Sequence, residues 1–239
     1  MMQRVHLSAC VTLLLTVGVA VAQARADDWV SYRDAYRAMV VFDKYGGPKH
    51  LLQNQLQVRP RAKGMLGDGA SLLIKGRTLQ TSLALDPLGR TTLPLLKAAY
   101  DENAVLASNR PLGGFTVRPR ISLALRADGS YDATELRAAC EQALGFARHA
   151  DASARSQACV GVRLVFPKTS VDVGARVRTG SAETVLPVTR APAFVGDVDD
   201  DFPVVTYRFA PAPAPAPAPA DAAQVVTYHA PLAIVPVFE

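Results

Sequence analysis

FTVRPRISLALRADGSYDATELRAACEQALGFARHADASARSQACVGVRLVFP, residues 115–167, changes its hydrophobic period twice. Phe115, Val117, Ile121, Leu123 and Leu125 fall on odd positions, as in a strand with one buried face, and Asp128-Gly129 then supplies a turn. From Asp132 the period is helical. Asp132 and Glu135 stand as caps, and Leu136, Ala139, Cys140, Ala143, Leu144 and Ala147 form one apolar stripe. After the polar stretch 151–158, CVGVRLVFP (159–167) reads as a second strand. The unit is strand, helix, strand, with Cys140 on the core face of the helix and Cys159 opening the strand that follows.

The N-terminus sets the redox context of those cysteines. Arg4 and His6 precede an apolar run from Leu7 to Ala22, and Ala24 and Ala26 fit an A-x-A cleavage site, so residues 1–26 read as a secretory signal peptide. The run of about 16 residues is shorter than the roughly 20 needed to span a bilayer, and no transmembrane segment is expected after signal cleavage. Leu7-Ser8-Ala9-Cys10 echoes a lipoprotein box. Its cysteine precedes the apolar run instead of following it, so Cys10 reads as part of the signal. An exported chain, periplasmic or secreted, keeps disulfides, and Cys140 and Cys159 are expected to pair. Removing residues 1–26 takes two of the 26 basic residues and no acidic one, leaving 24 against 21. That balance, without an arginine-rich run, gives no reason to expect nucleic acid as a partner.

Working outward, WVSYRDAYRAMVVFDKYGGP (29–48) predicts an amphipathic helix of about 13 residues, started at Ser31 and Asp34 and stopped by Gly46, Gly47 and Pro48. Its Trp29, Tyr32 and Tyr36 are expected to face the core rather than to stack on a sugar. QLQVRPR and SLLIKG read as strands, and Asp86-Pro87-Leu88-Gly89 as the turn of a β-hairpin. LLKAAYDENAVLASNRP has helical spacing early and a short strand later, and SVDVGARVRTG, ETVLPVTR and VVTYRF are further strands. The expected fold class is α+β: a mainly antiparallel sheet of short strands with two amphipathic helices, one disulfide, and a Pro-Ala spacer before a C-terminal strand. Its parts are a single α+β domain over 27–209, the spacer over 210–220 and the strand segment over 221–239.

The spacer alternates alanine and proline, a composition that favours extended polyproline II. VVTYHAPLAIVPVFE beyond it is apolar and β-branched and wants burial. Either it returns as a strand of this protein's own sheet, with the second VVTY parallel to the first, or it projects to a partner's sheet edge.

Three Arg-x-Arg pairs are the candidate ligand-binding residues: Arg59 and Arg61, Arg118 and Arg120, Arg176 and Arg178, the first two within identical VRPR tetrapeptides. Residues two apart on a strand share a face, so neighbouring strands would line up six guanidinium groups suited to carboxylates or phosphates. The plainer expectation is that these arginines cover a solvent face. Pro60 and Pro119 each remove a ladder donor and favour edges or bulges. GDVDDDFP places Asp197, Asp199 and Asp201 like the first ligands of a calcium loop, but Phe202 and Arg208 stand where glycine and glutamate are required, so a solvated acidic loop is expected and no metal. His50, His149 and His229 match no catalytic spacing, and no nucleophile elbow or phosphate-binding loop occurs. No catalytic residue and no cofactor is expected. The reading is an exported non-catalytic envelope protein that binds a partner protein or an anionic envelope polymer. An exported hydrolase with a scattered acidic site and a structural component of an envelope assembly are the alternatives. Intact mass of the mature chain is expected to place its first residue at Asp27; an acylated Cys10 would overturn that assignment.

Overall fold

The computed structural model describes residues 29–61, 66, 68–197, 201–210 and 223–239. Residues 1–26, read above as a signal peptide, and almost all of the expected spacer lie outside them. The first elements are β1 (Trp29–Ser31), α1 (Tyr32–Lys44), β2 (Leu52–Pro60), β3 (Ser71–Lys75), β4 (Gln80–Ala84), β5 (Arg90–Thr91), α2 (Lys97–Asp101) and β6 (Val105–Ser108). There follow β7 (Phe115–Leu123), β8 (Ser130–Asp132), α3 (Ala133–Ala150), a 3-10 turn (Ala152–Ser156), β9 (Cys159–Val165), β10 (Ala175–Thr179), β11 (Ala182–Val185) and β12 (Val188–Ala191). β13 (Phe202–Arg208), β14 (Gln224–Thr227) and β15 (Ala233–Phe238) close the chain. The fold is α+β, and every strand pairing among the described residues is antiparallel.

The strands form three sheets, ordered β1-β6-β3-β4, β11-β10-β14-β8 and β12-β13-β9-β15-β7-β2-β5. In the seven-stranded sheet β15 lies between β7 and β9 and is antiparallel to both, so those two strands of the β-α-β unit run parallel with the C-terminal strand inserted between them. The ladder to β7 is a single pair, Ile234 opposite Leu123. Pro236 brings no N–H to continue it, so over Arg118, Pro119 and Arg120 strand β7 pairs with β2 alone.

The alternation of each central strand divides the interior. Leu164 and Ile234 face α3, joining Leu136, Cys140 and Leu144 in one cluster, whereas Val165, Ala233 and Val235 join Leu88, Phe194 and Phe202 on the opposite face. A third cluster packs α1, through Tyr32, Ala35 and Met39, against Leu56, Val58 and the β3–β6 strands. The disulfide Cys140–Cys159 is present, with 6.1 Å between the two Cα atoms. Closing a loop of about 20 residues contributes on the order of 3 kcal/mol by restricting the unfolded chain.

Helix α1 starts where Ser31 Oγ accepts from the Asp34 amide, and it is stopped by Lys49, whose Nζ donates to the carbonyls of Phe42, Asp43 and Tyr45 at 2.8, 2.6 and 2.9 Å. Of the expected aromatic stripe Tyr32 is fully buried, donating to Pro94 O and accepting from Leu96 N, both at 2.7 Å. Tyr36 packs on Tyr100 at 4.9 Å, while Trp29 is half exposed.

Four expectations need correction. The 86–89 turn forms, with Gly89 N donating to Asp86 O at 2.8 Å and Gly89 at φ +72°, but its flanking strands do not pair with each other. Strand β4 goes to β3 and β5 to β2, because the edges they find are in different sheets. Asp132 occupies the N-cap of α3 without capping it; its carboxylate accepts from Gln224 instead. The second VVTY does not run beside the first, because β13 is already flanked by β12 and β9; it lies in β14, between β10 and β8. Residues 233–238 take the place in the larger sheet. Finally, Arg176 and Arg178 belong to the β11-β10-β14-β8 sheet, apart from the other two arginine pairs.

A chain ending at Phe209 would lack β14 and β15, which bury Val225, Ile234 and Val235. At about 1.5–3 kcal/mol each, those three side chains amount to roughly 5–9 kcal/mol, comparable with the stability of a whole domain. The truncated protein is expected to lose its cooperative thermal transition, as followed by circular dichroism; an unchanged melting curve would show that the last two strands are dispensable.

Candidate functional site

The polar face of the β2–β7 pair carries the site. Antiparallel register puts Gln57 opposite Arg118 on β7 and opposite Arg90 on β5, with Gln55 opposite Arg120. Val58 is buried on the other side, as alternation requires, which aims Gln57 and Arg59 to this face. Gln57 is itself only 1% exposed. Its Nε2 donates to Leu88 O at 3.1 Å, and its Oε1 accepts from Nε of both Arg118 and Arg120, at 3.3 and 2.8 Å. One amide thus holds two guanidinium groups side by side.

Those groups converge on Asp197. Arg118 and Arg120 both donate to Asp197 Oδ1, Arg120 at 2.5 Å, and Arg59 reaches Oδ2 at 3.4 Å. Asp197 is 1% exposed, while the side chains of Arg59 and Arg120 are 20% and 16% exposed and that of Arg118 is 39% exposed. Burial depresses Arg120 most, and the Arg118 and Arg59 charges act in the same sense; against the opposing pull of Asp197 its pKa falls to about 10.

Asp197 arrives on a strap, residues 192–197, that lies across this face. Arg163 Nη1 donates to Pro192 O at 3.0 Å, and Phe194, buried, sits 4.5 Å from the Arg120 guanidinium and 5.8 Å from that of Arg90. The Asp197 amide donates to Phe194 O at 3.1 Å, and Gly196, at φ +84°, takes the left-handed turn between them. Arg90 is anchored by Asp86, with Nε at 2.9 Å, and donates from Nη2 to Leu232 O at 2.6 Å; its Nη1 is buried without a hydrogen-bond partner among the described residues.

The sequence-derived candidates therefore divide. Arg59, Arg118 and Arg120 meet, and Arg61 lies exposed just past the end of β2. Arg176 and Arg178 share Glu183 on β11 instead, so no six-guanidinium band forms. Nor do the arginines simply cover a solvent face, because a buried carboxylate gathers three of them. Asp197, expected in a solvated acidic loop, is a buried anion; Asp199 lies outside the described residues, and Asp201 is exposed. Sequence reasoning passed over Gln57, Arg90 and Phe194. The polar alternation of QLQVRPR was the available signal for Gln57, and nothing local marked Phe194.

Elsewhere, an open cleft of about 240 Å³ is lined by Ser108, Asn109, Arg110, Pro111, Leu112 and Phe115. Among the described residues there is no group of three His, Cys, Asp or Glu placed to hold a metal, and no helix long and apolar enough to cross a membrane. No family model, curated protein or solved structure matches the chain.

Replacing Gln57 by leucine removes the shared acceptor of Arg118 and Arg120 and the donor to Leu88 O. Leaving such groups unsatisfied is expected to destabilise the protein by about 2–3 kcal/mol in urea unfolding; a loss below about 1 kcal/mol would mean that the arginines are held by Asp197 alone.

Proposed function

We propose that this chain is an exported, non-catalytic protein that binds an anionic envelope polymer through the arginine face of the seven-stranded sheet. The observation that supports this most directly is the pairing of Arg118 with Arg120: two guanidinium groups aligned by one amide share a single carboxylate oxygen, and Arg118 remains 39% exposed. Guanidinium forks fit carboxylate and phosphate oxygens, and donors fixed in advance lose less freedom on binding. Export is supported by residues 1–26 and by the Cys140–Cys159 disulfide, a bond that persists in oxidising compartments.

The test is fluorescence anisotropy of labelled poly-glutamate and polyphosphate with mature residues 27–239. Binding is expected at low salt and should weaken as salt rises. Arg118→Ala should lower affinity about tenfold or more, as loss of a charge-assisted contact does. Arg178→Ala, which removes the same charge from another sheet, should leave it unchanged. Absence of binding at low salt, or equal losses in both variants, would sink the proposal.

A further inference from the structure

The strap makes a specific statement about the ligand, resting on the reading just given. Asp197 is a carboxylate seated in the site, with Oδ1 taken by Arg118 and Arg120 and Oδ2 facing Arg59. We infer that Asp197 is a displaceable internal competitor, and that the group which replaces it is a carboxylate carried by the polymer.

Three observations support displacement. Residues 192–197 form no strand of their own, and between Phe194 and Asp197 the chain turns through Gly196, where an added Cβ would meet nothing within 4 Å, with Val195 75% exposed. The strap is therefore held by side chains at its ends and middle rather than by a ladder. Part of its grip is the same arginine set that would bind ligand, since Arg120 contacts both Phe194 and Asp197; burial of Ala193 and Phe194 in the hydrophobic cluster and the Arg163–Pro192 bond hold the rest. The cradle also has donor capacity that Asp197 leaves unused: Arg90, opposite Gln57 in register and beside Phe194, keeps a buried Nη1 with no partner among the described residues. A buried guanidinium donor left unpaired is unfavourable, and an incoming carboxylate can satisfy it once the strap moves.

The carboxylate class follows from the occupant. The two oxygens of Asp197 divide three guanidinium groups between them, which a planar two-oxygen anion can reproduce. Ligand then binds only the fraction of molecules whose strap is open, and apparent affinity scales with that fraction. Anything that loosens the strap while sparing the arginines should tighten binding.

The experiment compares wild type with Phe194→Ala, which loosens the strap and keeps Asp197, and with Asp197→Asn, which keeps the strap and removes its charge. Labelled poly-glutamate and polyphosphate are the probes, and circular dichroism checks that each variant is folded. Both variants are expected to bind poly-glutamate at least tenfold more tightly than wild type, with a smaller gain for polyphosphate. Hydrogen exchange on wild type gives a second readout that needs no variant: saturating poly-glutamate should speed exchange of the Asp197 amide, now bonded to Phe194 O. Arginine-dependent binding with unchanged affinity in folded variants and unchanged or slower exchange at Asp197 would refute the competitor while leaving the arginine reading intact. Gains that are equal or larger for polyphosphate would refute the carboxylate assignment. Loss of arginine dependence itself would remove both.

Discussion

The structure depends on the slot between β7 and β9. Two strands of a β-α-β unit, tied through α3 by the Cys140–Cys159 bridge, stand one strand apart, and Ala233–Phe238 fills the gap from the far end of the chain. Ile234 and its neighbours Ala233 and Val235 then complete the hydrophobic clusters on opposite faces of the same sheet. Without that strand neither cluster closes, and the backbone groups of β9 on that side lose their partners. Strand β14, in the same terminal segment, ties the β10 and β8 strands into the other sheet.

The slot also explains where polar chemistry collects. Pro236 ends the ladder to β7 after one pair, so the arginines of the second VRPR segment lie on a stretch bonded on one side only. Helices cover one face of the sheet, and the other receives the strap with Phe194 and Asp197. Several cations around one buried carboxylate is a network in which desolvation opposes the Coulombic gain, so its geometry matters more than its count of ion pairs. Gln57 supplies that geometry, through a single side-chain oxygen.

Much of the local structure was legible because it is written in periodicity. The α1 and α3 helices, the β7 and β9 strands, the turn at 86–89 and the pairing of Cys140 with Cys159 each follow from hydrophobic spacing, turn chemistry or cysteine count. Legibility failed where a segment's partner was remote. Strands β4 and β5 flank a sound turn yet join different sheets, and the second VVTY found β10 and β8 because β13 had no free side. The site shows the same division. Alternation placed Arg59, Arg118 and Arg120 on shared faces, but only the fold could bring β2 beside β7 and leave β10 elsewhere.

By itself, then, the sequence determined the α+β class, the strand-helix-strand unit with its disulfide, the burial demand of the last residues and the shared facing of Arg118 with Arg120 and of Arg176 with Arg178. These are properties of neighbours in the chain, where a period of 2 or 3.6 decides which side chains share a face. Tertiary structure alone decided that Ala233–Phe238 lies at the centre of the larger sheet, that Arg59 of one pair joins Arg118 and Arg120 across β2 and β7, and that Asp197 is a buried counter-ion instead of a solvated loop residue. Those outcomes turn on which sheet edges are open and which carboxylate can be desolvated beside them, and no local window of sequence contains that information.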